Sequence, residues 1–318
     1  MRTNHILLSA LLLCATGCTS DIATDESTTN QQDKYPVNFS GGIDMVQTKA
    51  SGTTTMGNGV KATIYAYTQG ATVTSAEAVA KGEYTSDASG NLTATPIMYL
   101  AKGNYDFYGV SVNSTTTAPA FTNGETAVLS NNVDYLWVKA ENQTIENAGR
   151  NVDLTFARKA VKVLINIESG DGIELTDWQT TDPAMITPPE PSTTCKMTLA
   201  DGVIVPATTV NATTTAMANE AVSSQKATVS YIMLPLVDAG SSPVPTITLK
   251  VKVKVNGNAA EDRTYTANLG YPTGGFVSGN QYTYKATLKA NGITFTGAKV
   301  TNWEEQTQSD LTPTEPAS

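Results

Sequence analysis

The sequence predicts an all-β protein built as two β-sandwiches in tandem. Three observations carry this. Apolar and polar residues alternate with a period of two in many short segments, the pattern of half-buried strands. No segment shows a convincing helical period. Turn signals recur about every ten residues, and roughly 300 residues follow an apolar leader, more than one core comfortably holds. A propeller or single large barrel would require evener repeats.

The elements follow in chain order. Arg2 is a positive start, and Ile6 to Ala15 is apolar, of signal-peptide length and too short to span a bilayer. Ala15-Thr16-Gly17-Cys18 resembles a bacterial lipobox, in which Cys18 is acylated and begins the mature chain; cleavage near Ala15 to give a merely secreted protein is the alternative. Residues 1–17 are then a lipoprotein signal peptide that places the protein on the outer membrane, held at the cell surface by lipid. Residues 18–34 are too polar to build a core and read as a disordered tether.

Val37, Phe39, Ile43 and Met45 mark a first strand with a glycine kink at Gly41-Gly42. Lys49-Ala50 lies in a Ser/Gly/Thr-rich loop ending at Gly59. Further strands are expected at 60–67, 97–100, 105–112, 134–139 and 152–156. The stretch 161–167 puts Val161, Val163, Ile165 and Ile167 on one face. Thr74 to Lys81 allows a turn or two of helix, and Ala157 to Ala160 a weaker one. Gly170-Asp171-Gly172 is the expected boundary, giving domains at 35–169 and 170–305. Beyond it, strands are expected at 196–199, 203–205, 227–236, 246–255, 263–269, 282–288 and 293–303. Asn256-Gly257 and Asn291-Gly292 are turn signals. Lys250, Lys252 and Lys254 share the polar face of 246–255; they suit a solvated face that discourages edge pairing better than an anion site. Residues 306–318 read as a disordered tail.

Composition narrows the function. The sole histidine, His5, and two of three cysteines, Cys14 and Cys18, fall in or at the end of the leader. A mature chain without imidazole excludes Ser-His-Asp triads, Cys-His pairs and His-ligated zinc. Cys195 is left without an internal disulfide partner and is expected half-buried and inert. Asp171 with Glu174 and Glu304 with Glu305 are loop acids that define no cleft. No cofactor, metal or catalytic residue is expected. The net charge of −9 without a basic cluster argues against nucleic acid and anionic membrane surfaces. Tyr65, Tyr67, Tyr99, Trp137, Trp178, Tyr271 and Trp303 could stack on sugars in a non-polymerising lipoprotein that binds glycan, although such aromatics more often pack a core.

The C-terminal segment carries a resemblance. Phe276-Val277-Ser278-Gly279-Asn280-Gln281-Tyr282-Thr283-Tyr284, then Leu288-Lys289-Ala290-Asn291-Gly292-Ile293-Thr294-Phe295 and Val300-Thr301-Asn302-Trp303-Glu304-Glu305, is similar to the closing hairpin of the fimbrillin family, the Mfa-like lipoproteins of Bacteroides-type bacteria. Gln47-Thr48-Lys49-Ala50, Gly103-Asn104-Tyr105-Asp106-Phe107, Phe156 to Val163 and Tyr231-Ile232-Met233-Leu234-Pro235 resemble family segments in the same order. The resemblance implies two transthyretin-like Greek-key sandwiches and a fimbrial subunit that partners other pilus subunits, with a surface ligand as a further partner. It also implies loss of Val37–Val46 after cleavage between Lys49 and Ala50, where arginine-cleaved members carry Arg. A strand from a neighbouring subunit then fills the vacated groove, with Ile293, Phe295, Ala298 and Val300 as donor residues. An uncut subunit retaining its lipid, as anchor or tip, is equally consistent. In the free monomer Ile293–Trp303 is an ordinary last strand.

Overall fold

The computed structural model describes residues 33–46, 51–238, 240 and 243–303. Its regular structure is entirely β, with no helix among the described residues. The first eleven strands are β1 (Lys34–Val46), β2 (Ser51–Thr55), β3 (Lys61–Thr68), β4 (Ala80–Ser86), β5 (Asn91–Thr93), β6 (Met98–Ala101), β7 (Gly103–Ser111), β8 (Phe121–Thr122), β9 (Glu125–Thr126), β10 (Leu136–Ile145) and β11 (Arg150–Arg158). β8 and β9 form a small hairpin. The other nine form one sheet, in the order β11-β10-β7-β3-β4-β5-β1-β2, with β6 also on β1. β1 pairs in parallel with β11 as well, which closes the sheet into a ring. Inside the ring, Val37, Phe39, Ile43, Ile64, Tyr84, Phe107, Leu136, Leu154 and Phe156 pack into one buried cluster.

Ten strands follow: β12 (Val161–Ser169), β13 (Ile173–Trp178), β14 (Ala184–Ile186), β15 (Thr215–Ala216), β16 (Ala218–Asn219), β17 (Lys226–Met233), β18 (Thr246–Val255), β19 (Glu261–Asn268), β20 (Asn280–Lys289) and β21 (Gly292–Asn302). They make two sheets, β16-β17-β12-β20-β21 and β13-β18-β14-β15, with β19 along β18. The period-two segments behave as their sequences require. β12 buries Val161, Val163, Ile165 and Ile167, and β18 buries Ile247, Leu249, Val251 and Val253. The side chains of both sheets belong to one buried cluster.

That second cluster also takes in Tyr65, Tyr67, Tyr108 and Val110 from the ring. β3 and β7 are therefore covered on both faces, which is why β3 is buried almost throughout rather than alternately. Backbone bonds stitch the same region together: Thr126 N–H donates to Met197 O at 3.0 Å and Leu129 N–H to Cys195 O at 2.8 Å.

Several local expectations change. Thr74–Lys81 is not helical: a single turn closes at Thr72–Ala76, and β4 begins at Ala80. Residues 157–160 contain the end of β11, not a helix. The loop expected after Ala50 holds a strand, β2, paired with Gly42–Val46. Gly41-Gly42 runs through β1 without breaking it. Lys196–Leu199 and Val203–Val205 meet only through the bridge Met197–Ile204. β12, assigned from sequence to the first half, pairs with β17 and β20, so the change of sheet falls between Arg158 and Val161. Cys195 is fully buried. Lys254 pairs with Glu174 at 3.3 Å, and Lys252 stands opposite Asp177 and Asp262, so neighbouring acids balance the lysine row.

Candidate functional site

The seat of β1 is the best-built site in the molecule. One edge of β1 runs along a single neighbour, from Val37 opposite Arg150 to Ile43 opposite Phe156. The other edge meets short neighbours in turn: β6 at Lys34–Val37, β5 at Phe39–Ser40 and β2 from Gly42. Between them, Gly41 N–H donates to Gly90 O at 2.7 Å, and Met56 N–H donates to Gly41 O at 3.0 Å. Gly90 is obligatory there. It has a φ of 82°, and a Cβ would lie 2.9 Å from Gly41 O.

The inward side chains of β1 are Val37, Phe39 and Ile43, each at most 3% exposed. Phe39 meets the rings of Tyr84 and Phe107 edge-on, with centroids 5.1 and 5.2 Å away. Burial pushes the Tyr84 phenol pKa up, and its oxygen accepts from Met98 N–H. Gly41 is buried against Leu92, whose side chain would lie 3.3 Å from an added Cβ. On the outer face Asn38 Nδ2 donates to Asn151 Oδ1 at 3.1 Å, and the Ser40 hydroxyl donates to Asp153. Burying three such apolar side chains is worth about 5–9 kcal/mol in all. A chain without β1 would expose an apolar trough and two rows of backbone donors and acceptors.

β21 is held differently. Among the described residues it pairs only with β20, on one edge of its sheet. Its register slips between Thr296 and Lys299, opposite Thr283 and Lys285, so Gly297 and Ala298 form a bulge. Ile293, Phe295 and Ala298 are partly buried against the second core, and Val300 is 48% exposed. The end of the strand is bolted down. Trp303 N–H donates to Gly279 O at 2.9 Å, and the Trp303 ring lies 4.8 Å under the Arg158 guanidinium. Arg158 in turn pairs with Asp134 at 3.1 Å in a buried setting.

Val37, Phe39 and Ile43 thus share one seat, and Ile293, Phe295 and Ala298 share another face. Met45 lies in β1 opposite Gly52. Cys18, Lys49 and Ala50 lie outside the described residues. The sequence reading overlooked Leu92, Gly90, Asp153 and the Arg158–Asp134 pair; only the pairing of strands distant in sequence brings them to the site. Most aromatics proposed as sugar platforms are packed inside: Tyr65, Tyr67, Trp178 and Trp303 are buried, while Tyr99 is 49% exposed. Among the described residues, no three His, Cys, Asp or Glu side chains gather as metal ligands.

The family model described as fimbrillin-like matches residues 48–303. Among solved structures, a candidate cell adhesion protein of Bacteroides uniformis superposes with a TM-score of 0.55 at 19% identity, covering 85% of this chain and 99% of that one. Another from Bacteroides ovatus gives 0.57 at 17% identity, covering 86% and 99%. A third, from Bacteroides fragilis, gives 0.52 at 14%, covering 87% and 100%. These likenesses concern the fold. A comparison with curated proteins gives no match.

Proposed function

The chain belongs to the fimbrillin-like family, and on that premise we propose that it is a structural and adhesive subunit of a surface pilus that assembles by strand exchange. It is exported as a lipoprotein acylated at Cys18 and reaches the outer-membrane surface. A protease cuts between Lys49 and Ala50, β1 departs, and a strand of a neighbouring subunit takes its seat. In this reading the chain folds as two transthyretin-like Greek-key domains that meet where the sheet changes, between Arg158 and Val161. No catalytic role is assigned.

The single observation that carries this reading is the placement of β1. It closes a ring, contributes Val37, Phe39 and Ile43 to that ring's core, and ends four residues before Ala50. One cut would free it from the rest of the chain. An incoming strand can satisfy the same backbone groups and fill the same trough, with main-chain bonds giving affinity and alternate side chains specificity. Head-to-tail exchange of this kind propagates into a filament.

Intact-mass analysis of protein taken from the cell surface tests the reading. The expected assembled species begins at Ala50 and forms ladders on gels, and Lys49→Gln abolishes both. Ladders unchanged in Lys49→Gln would contradict cleavage-driven exchange. A sole species carrying lipid on Cys18, with no polymer, would favour an uncut surface lipoprotein.

A further inference from the structure

The outer face of β17-β12-β20-β21 gathers lysines that lie far apart in the sequence. Three rows of four residues cross it in register. Lys226 stands beside Glu168 in the first row, Asn166 beside Lys285 in the second, and Leu164 shares the third with Lys299. Six of these twelve positions are Ser or Thr, and Glu168 is the single acid among them. The alternate residues Ile165, Ile167, Val229, Tyr284 and Ala286 are buried in the second core, so the rows point outward. We propose that this face binds an acidic polysaccharide, laid across the strands with its anionic groups at Lys226, Lys285 and Lys299. The proposal is independent of strand exchange, because among the described residues β1 pairs with none of these four strands.

Charge complementarity calls for an anionic partner. The chain as a whole carries a net charge of −9, yet these rows hold three lysines against one acid. On β18 the lysines meet acids on both neighbouring strands. Here the one acid is engaged by Lys285 at 2.6 Å, and Lys226 and Lys299 have no ion pair among the described residues. The three lysines also fall on a diagonal. Lys226 to Lys285 is two strands across and two residues along, about 12 Å between Cα atoms. Lys285 to Lys299 is one strand across and two residues along, about 8 Å. A line of charge suits a linear polymer with repeated anions. An acidic protein is repelled by an extended anionic surface such as a membrane, whereas a single polymer strand meets only the line.

Two observations favour sugar over polypeptide. A shallow cavity of about 350 Å³ opens between Lys226 and Lys285, and Asn166, Glu168 and Thr228 line it. That volume is within the range of small-ligand sites. Its groups suit a sugar acid: the lysines take the anion, the Glu168 carboxylate accepts from sugar hydroxyls, and the Asn166 amide both donates and accepts. A protein partner, by contrast, needs an apolar centre to its interface. The twelve positions hold one large apolar side chain, Leu164, and it is half-buried. They hold no aromatic ring, so charge and hydrogen bonds carry the binding. Each contact of this kind is weak at an exposed surface, and repeated groups on one polymer add them together.

Affinity electrophoresis of the full, uncut chain tests this, in gels cast with polygalacturonate, dextran sulfate, neutral dextran or polyglutamate, each read against a gel without polymer. Retardation is expected with polygalacturonate, dextran sulfate or both, which identifies the anion as carboxylate, sulfate or either. Neutral dextran is expected to leave mobility in place, and polyglutamate to bind more weakly than the polysaccharide. The triple variant Lys226→Gln, Lys285→Gln, Lys299→Gln should lose about tenfold or more in affinity. Its melting temperature should hold, since all three side chains are exposed. Asn166→Trp, which fills the cavity, should weaken binding too. Lys250→Gln with Lys252→Gln, on the other sheet, should keep it. Retardation by neither acidic polysaccharide, equal retardation by polyglutamate, or full binding by the triple variant would each overturn the proposal. None of these results bears on strand exchange, which the ladders and masses of protein from the cell surface decide separately.

Discussion

Among the described residues, β1 is bonded along both edges, to β11 on one side and to β6, β5 and β2 on the other, whereas β21 is bonded along one edge only, to β20. Val37, Phe39 and Ile43 are buried; Ile293 and Phe295 are half-covered, and Val300 is exposed. The two strands have nearly the same pattern of residues, so the difference is one of setting. β1 contributes to a closed core, and β21 lies at an open edge. A strand of this composition gains far more from the first setting than from the second.

Four substitutions probe this contrast. The largest effect is expected at Phe39. Phe39→Ala should cost the full chain about 3–5 kcal/mol in denaturant unfolding, as for other fully buried rings. A loss under about 1 kcal/mol would mean that the ring core does not depend on β1. Trp303→Ala comes next, at about 2–4 kcal/mol, since it strips the cover from the buried Arg158–Asp134 pair as well as deleting packed surface. Phe295→Ala should cost the monomer only about 1 kcal/mol, because its ring is partly in water already. Equal losses at Phe39 and Phe295 in calorimetry would erase the contrast between the strands.

The smallest effect at neutral pH is expected at Tyr284, which lies in β20 beneath the β21 bulge and donates to Gly270 O at 2.9 Å. Burial raises its phenol pKa well above the ordinary value of 10.0. Its folded pKa lies above its unfolded one, so the stability it contributes is whole below about pH 10 and is lost as pH rises toward the folded value. The native chain should therefore weaken in alkali, and Tyr284→Phe should flatten that decline in a pH series of melting temperatures. An unchanged alkaline slope would assign the decline to other buried tyrosines.

Much of the fold is legible in the sequence where burial is one-sided. In β12 and β18 the period of two gives strand, face and core residues together. Asn256-Gly257 takes the left-handed φ values, 49° and 74°, that such a turn needs. β2 is not legible, because Ser51-Gly52-Thr53-Thr54-Thr55 has no apolar period and is a strand only by pairing with β1. β3 conceals its alternation because both of its faces are covered. At the site, Val37, Phe39 and Ile43 stand out by their spacing. The crowding of Gly41 by Leu92 and the closure of the ring by β11 do not, since both depend on contacts far apart in sequence.

The most direct test of exchange at the β1 seat is amide hydrogen exchange in β11 of the full chain cut after Lys49. β11 gives its bonds to β1 from Arg150 to Phe156 and to β10 only at Ala157 and Arg158. Once β1 has been lost, the amides within 150–156 that bond to it, alternate residues in a parallel pair, should exchange fast in the monomer and regain protection in polymers that contain no residue before Ala50. Polymers in which residues 33–46 remain bound and these amides stay protected throughout would contradict the account.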